Sequence, residues 1–123
     1  MLEILIDTNF IMECVSNKVD FFEDLKLKGF KILIPEEVIL ELNSILKSSE
    51  KNKFRQNAEI ALKLLNNESF EKIKLGKGNV DDNIVKFLKA NSKIYLATMD
   101  KDLKKRILNP KIVVRSRKKL EKI

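Results

Sequence analysis

Short apolar runs and helical patterns alternate along the whole chain, and a sequence patterned in this way has few folds open to it. Leu2–Ile6 is a compact apolar run closed by Asp7-Thr8-Asn9, which reads as a buried strand whose polar end caps a following helix through residue 15. Further strands are expected at 31–34, 70–75, 94–97 and 111–114, and helices at 19–28, 35–47, 54–66, 80–91 and 101–108. Gly29 suits the end of the second helix and Pro35 the first turn of the third, where Glu36 and Glu37 meet the positive end of the helix dipole. In the helix at 54–66, Ile60, Leu62 and Leu65 are expected to face inward, and Phe21, Phe22, Phe30, Phe54, Phe70 and Phe87 are assigned to core packing rather than base stacking. Strands separated by helices pair in parallel. The pattern therefore predicts a single α/β domain over residues 1–123, with a mainly parallel sheet of about five strands between two helical layers.

What is missing narrows the chemistry. The chain has no histidine and one cysteine, Cys14, so neither a histidine-activated nucleophile nor an ordinary structural zinc site can be assembled. Any catalysis must use carboxylates, lysines, hydroxyls or a hard metal ion. No apolar run approaches the roughly 18–20 residues that span a bilayer, and the first residues lack the basic start of a signal peptide, so a cytoplasmic protein is expected.

The net charge of +7 is unevenly placed. From Asp100 onward there are ten of the 25 Lys and Arg but three of the 18 acids, which leaves fifteen of each sign before it. A basic C-terminal segment, about 101–123, points to a polyanion. Lys104, Lys105, Arg106, Arg115, Arg117, Lys118 and Lys119 are the candidate phosphate contacts, with Lys47, Lys51, Lys53 and Arg55 as a second group.

In open α/β sheets, ligands gather beyond the carboxyl ends of the strands. Asp7 directly follows the first strand, Asp100 lies just past the strand at 94–97, and Asp82 opens the helix at 80–91. Glu41 lies three residues after Val38 and four before Ile45, at the edge of an apolar stripe where burial of an unpaired carboxylate is costly; a lysine partner or a metal would satisfy it. Converging acids cannot all stay ionised without a cation, and Mg²⁺ or Mn²⁺ suits an all-oxygen site. An acidic site beside a basic flank means phosphodiester chemistry.

With these residues in place, the chain resembles the PIN-domain family of metal-dependent ribonucleases. Ile4-Leu5-Ile6-Asp7-Thr8-Asn9 is similar to the family's opening motif, and Val38-Ile39-Leu40-Glu41-Leu42 to its glutamate helix. Val80-Asp81-Asp82-Asn83-Ile84 and Leu96-Ala97-Thr98-Met99-Asp100 resemble the third and fourth motifs. The resemblance implies that Asp7, Glu41, Asp82 and Asp100 bind one or two metal ions, with Asp81 and Asp102 as further candidate ligands. It also implies that Asn9 and Thr98 hold Asp7 and Asp100 in place, and that cleavage leaves 5′-phosphate and 3′-hydroxyl ends. Helix geometry turns Asp81 toward the side of Ile84, Val85 and Leu88 and Asp82 away from it, whereas the eighteen-residue step to Asp100 favours Asp82; both stay open.

The stretches 77–82 and 97–106 look most like the branch that processes precursor ribosomal RNA, with the VapC-type toxins next. That resemblance implies RNA as substrate, and as partners a second copy, a ribosome-assembly factor or an antitoxin. The chief rival is a PIN fold that binds RNA in a ribosome-assembly complex without cutting it. Receiver domains, aspartyl-phosphate phosphatases and P-loop proteins fit poorly. The first strand ends in a lone acid, Asn9 stands where a second aspartate would be needed, and Gly76-Lys77-Gly78 lacks the P-loop spacing.

Overall fold

The computed structural model describes residues 1–48, 52–115 and 119–123. Lys51, Arg117 and Lys118, three of the candidate phosphate contacts, lie outside them. Twelve elements follow one another in the order β1 (Leu2–Ile6), α1 (Thr8–Ser16), α2 (Phe21–Leu27), β2 (Phe30–Pro35), α3 (Glu36–Lys47), α4 (Asn52–Asn67), β3 (Glu71–Ile73), α5 (Val80–Ala90), β4 (Tyr95–Ala97), α6 (Lys101–Arg106), β5 (Lys111–Arg115) and β6 (Lys119–Lys122). The strands form one sheet in the order β3-β2-β1-β4-β5-β6. Every pairing is parallel except that of β5 with β6.

Strand alternation splits the core in two. Ile4, Ile6, Ile32 and Ile34 pack with α1, α2, α3 and α4 on one face, while Leu5, Leu33 and Leu96 pack with α5 and α6 on the other. Successive side chains of a strand point to opposite faces, so β1 can bury a continuous apolar run only if both faces are covered. Each fully buried Leu or Ile contributes roughly 1.5–3 kcal/mol. Buried Asn109 ties the second face together at its lower end: its side-chain amide donates to the carbonyls of Leu88, Asn91 and Ile94, satisfying the C-terminus of α5 and the start of β4.

Several boundaries differ from the sequence reading, each for a local reason. The second helix starts at Phe21 because Asp20 caps it, its side chain accepting from the Glu23 amide, and it ends at a left-handed Gly29. The expected strand at 70–75 pairs over only three residues. In α4 the buried residues are Ala58, Ala61 and Leu65, while Ile60 is exposed, because the helix is rotated to press its small residues against α1 and α3. Phe54 is exposed too, although Phe21, Phe22 and Phe30 are buried as expected. The sixth strand, β6, lies within the segment read only as a basic tail. Its burial comes from Leu120 alone, too little apolar signal to mark a strand. Lysines at both of its ends suit a sheet edge that must not pair further. Among the described residues no helix is long and apolar enough to cross a membrane.

Candidate active site

The sheet order reverses between β1 and β4: the chain runs outward from β1 through β2 to β3, then returns to build β4 and β5 on the other side. At such a switch point the connections after the two central strands diverge and leave a crevice. Here the crevice is acidic. Ile6 lies opposite Ala97, and the Asp7 amide donates to the Ala97 carbonyl at 3.2 Å, so the residues following β1 and β4 emerge side by side. A cleft of about 140 Å³ opens there, lined by Asp7, Glu41, Asp81 and Asp100 together with Thr8 and Asn9.

Asp7 is the anchor. It caps α1, with one carboxylate oxygen (Oδ1) accepting from the Phe10 amide at 2.8 Å. Its other oxygen accepts from the Thr98 hydroxyl, and Thr98 in turn accepts from the Asp100 amide at 3.0 Å. The fully buried Thr98 therefore joins the two acids that follow the two central strands. Asp100 is held from its far side as the cap of α6, accepting from the Leu103 amide. Asn9 lines the cleft but is exposed.

Burial dominates the electrostatics of Asp7 and pushes its carboxyl up to about 7. Hydrogen bonds from Thr98 and the Phe10 amide pull the other way, and the charges of Asp100 and Asp81 push further up. Asp81 is also raised, first by partial burial and then by Asp100, with Arg106 opposing.

The third acid of the cleft is Asp81, not Asp82. Asp82 points out of it and pairs with Arg106 at 2.6 Å. Successive helical residues are rotated by about 100°. On α5, where Ile84, Val85 and Leu88 are buried, the position three before Ile84 faces the crevice and its neighbour faces α6. The eighteen-residue spacing that favoured Asp82 carries no such directional information. Asp102, a further ligand candidate, is exposed on α6 and does not line the cleft.

Glu41 lines the cleft from α3, but its residue is exposed rather than buried along the apolar stripe, where Val38 and Leu42 take the buried positions. Among the described residues its side-chain partner is not a lysine but Thr8, whose hydroxyl donates to a Glu41 carboxylate oxygen at 3.0 Å. Thr8 was read from the sequence only as a possible helix cap. Its partner lies 33 residues away, so no local signal marks this role.

Two further side chains fix the approach to Asp81. Glu37 accepts from the backbone amides of Leu75 and Gly76. Partial burial works against its charge, yet the backbone amides it accepts from and nearby Lys74 hold its carboxyl below the usual range. Asn83 donates to the carbonyls of Gly76 and Lys77. Gly76 adopts a positive φ of 111°, a conformation that L side chains rarely take, so the loop can fold back over both.

Four carboxylates and no lysine or arginine line the cleft among the described residues. Two unit charges about 4 Å apart repel by roughly 4 kcal/mol at an effective dielectric near 20, so this arrangement asks for a cation. Its donors are all oxygens, the set that suits Mg²⁺ and Mn²⁺. Among the described residues no three acids form a ready-made metal cage. An open notch with one buried acid fits a hard ion that keeps much of its water.

The basic candidates among the described residues fall into three groups. Lys104, Lys105 and Arg106 form the last turn of α6, the helix that Asp100 caps. Arg115 ends β5 and faces Lys119 across the β5–β6 pair. Because β5 runs parallel to β4, Arg115 and Lys119 lie at the carboxyl end of the sheet, on the cleft's side, whereas α6 leads from that end back toward the start of β5. Lys47 and Lys53 are exposed at the facing ends of α3 and α4, while Arg55 turns back to the Ser48 carbonyl and the Asn52 side chain.

A family model described as "PIN like domain" matches residues 4–119. Ribonuclease VapC4 of Methanocaldococcus jannaschii is 28% identical over 127 residues, covering 98% of this chain and 96% of that protein. The rRNA-processing protein fcf1 of Schizosaccharomyces pombe is 35% identical over 106 residues, covering 85% of this chain but only 52% of the yeast protein, so the chain spans about half of that relative. Among solved structures, the PIN domain endonuclease Utp24 superposes with a TM-score of 0.79 at 29% identity, over 98% of this chain and 90% of that one. The match spans the cleft, the helices that wall it and both central strands: the chain belongs to the PIN-like domain family.

Proposed function

We propose that the chain is a divalent-metal-dependent endoribonuclease whose working acids are Asp7, Glu41, Asp81 and Asp100. The observation that carries this reading is the gathering of those four carboxylates, from four separate segments, into one cleft that no basic side chain lines among the described residues. The same residues would hold one or two Mg²⁺ or Mn²⁺ ions. When bound, such an ion makes hydroxide available near neutral pH and stabilises charge on the scissile phosphate.

The protein's own part is positioning. Thr98 and the Phe10 amide fix both oxygens of Asp7, so that its carboxylate needs no reorganisation once its proton has left. Thr8 fixes Glu41, and Glu37 with Asn83 hold the loop that delivers Asp81. Lys104, Lys105, Arg115 and Lys119 would bind flanking phosphates and draw RNA to the cleft, without specifying its sequence. Arg106 is partly neutralised by Asp82 and contributes less. In-line attack by water would leave a 5′-phosphate and a 3′-hydroxyl.

The similarity to the rRNA-processing protein fcf1 supports precursor ribosomal RNA as the substrate, with a ribosome-assembly factor as partner, and that to Utp24 supports endonuclease activity. A second reading, a VapC-type toxin restrained by an antitoxin, is favoured by the end-to-end match to Ribonuclease VapC4. Cleavage of a labelled structured RNA in Mn²⁺, Mg²⁺ or EDTA, beside Asp7→Asn, tests the shared core of both. Metal-dependent cutting that vanishes in the variant supports the nuclease. Salt-sensitive binding by folded protein with no cutting in any metal would instead make it a binding module.

A further inference from the structure

Beside the acid cleft lies a second, larger groove of about 400 Å³, lined among others by Asn9, Met12, Phe54, Asn57 and Met99. Phe54 is out of keeping with its helix. It stands four residues before Ala58 and seven before Ala61, both fully buried, so it belongs to the inward face of α4. It nevertheless remains 43% exposed, because the groove occupies the place where a packing partner would sit. Leaving a phenylalanine ring half in water sacrifices apolar burial, while Ala58, Ala61 and Leu65 along the same helix are buried.

The groove adjoins the cleft. Asn9 lines both, and Met99 connects Thr98 to Asp100. Its lining offers a flat heteroaromatic ring a phenyl face for stacking, two thioethers, two carboxamides that both donate and accept, the Ser16 hydroxyl, and the Glu13 carboxylate, which accepts from Asn17 and would accept from a base's amino group. Exposed Lys53 adjoins Phe54 on α4 and supplies positive charge for a neighbouring phosphate.

We propose that this groove is a subsite for one unpaired nucleobase of the RNA, stacked on Phe54, belonging to a nucleotide that flanks the phosphate in the acid cleft. It rests on the nuclease reading above and requires that the nucleotide held at Phe54 be unpaired, so that its base can leave the helix. Asn9 and Asn57 would read the edge of the base, and so set a preference at one position beside the cut.

The protein contains no tryptophan and one tyrosine, so Phe54→Trp introduces a unique indole at the groove that can be excited apart from Tyr95. Short single-stranded RNA of mixed sequence, added in EDTA at low salt so that no cutting occurs, should quench the fluorescence of that indole; the matching duplex should quench it far less. Phe54→Ala should raise KM about 5- to 150-fold with kcat held, and Phe54→Trp should restore KM. RNA that binds the Phe54→Trp variant, as followed by anisotropy, without changing its indole fluorescence would overturn the subsite and leave the nuclease standing. Quenching by single strands in a protein that never cuts would support the subsite and remove the nuclease. Absence of RNA binding altogether would overturn both.

Discussion

Replacing Asp7 by asparagine should abolish cleavage and at the same time make the metal-free protein more stable at neutral pH. Burial lifts the Asp7 carboxyl from 3.8 to about 7 in the folded chain. Between those values the folded protein holds a proton that the unfolded chain has already released. The stability this group contributes is therefore whole below about pH 4 and drains away as pH rises toward about 7. A shift of roughly three units, at about 1.4 kcal/mol each, amounts to about 4 kcal/mol lost by pH 8. Asparagine has nearly the same shape, cannot ionise, and keeps an oxygen to cap α1 at the Phe10 amide. It also turns one hydrogen bond around: its amide must donate to the Thr98 oxygen, which strands the Thr98 proton at a cost of about 1 kcal/mol or somewhat more.

The net gain is then about 2–3 kcal/mol at pH 8, or roughly 10 °C in Tm for a domain of this size. At pH 4 the sign reverses, because wild-type Asp7 is protonated and keeps both of its bonds. Thermal unfolding of both proteins in EDTA from about pH 4 to 8 checks this, and the two Tm curves should cross. A variant less stable than wild type at pH 8, or a difference that ignores pH, would refute the idea that Asp7 is a buried charge waiting for a cation. Saturating Mn²⁺ should narrow the gap by raising the wild type alone.

Other outcomes follow from the same geometry. Thr8→Val removes the only hydroxyl that holds Glu41 among the described residues and should cost about 10- to 100-fold in Mn²⁺ affinity or activity, while a thermal melt shows the fold little changed. Because Asp7 must lose its proton to take up a cation, Mn²⁺ affinity measured by calorimetry should rise by about tenfold per pH unit up to about pH 7; a flat profile would exclude Asp7 as a ligand. RNA affinity should fall steeply with salt, and Lys104→Ala with Lys105→Ala should flatten the slope by about two; an unchanged slope would remove α6 from the interface.

Most of the framework is legible in the residues because it rests on short-range rules. Leu2–Ile6 can only be a strand covered on both faces, and the acid that follows it lands where parallel sheets put their ligands. The same logic reaches Asp100 through Ala97. Direction is harder to read than position. Asp81 and Asp82 differ by one helical step, and only the buried Ile84-Val85-Leu88 face decides which of them enters the cleft. Glu41 was read as a buried charge because it borders Val38 and Ile45, yet that edge of α3 opens into the crevice rather than the core. Strand β6 escaped notice because one leucine among charged neighbours makes no pattern. Thr8 and Phe54 depend on partners 33 residues away, for the hydroxyl, and on an unfilled groove, for the ring. Neither is visible in local sequence.

The cleft's composition is most directly tested by comparing Asp81→Asn with Asp82→Asn in a Mn²⁺-dependent RNA cleavage assay, each checked for folding by thermal melt. The geometry predicts that Asp81→Asn loses about a hundredfold or more in rate, and that Asp82→Asn, which frees Arg106 from an exposed pair worth no more than about 1 kcal/mol, stays within a few-fold of wild type. The opposite ranking, with Asp82→Asn inactive and Asp81→Asn active, would contradict the site described here.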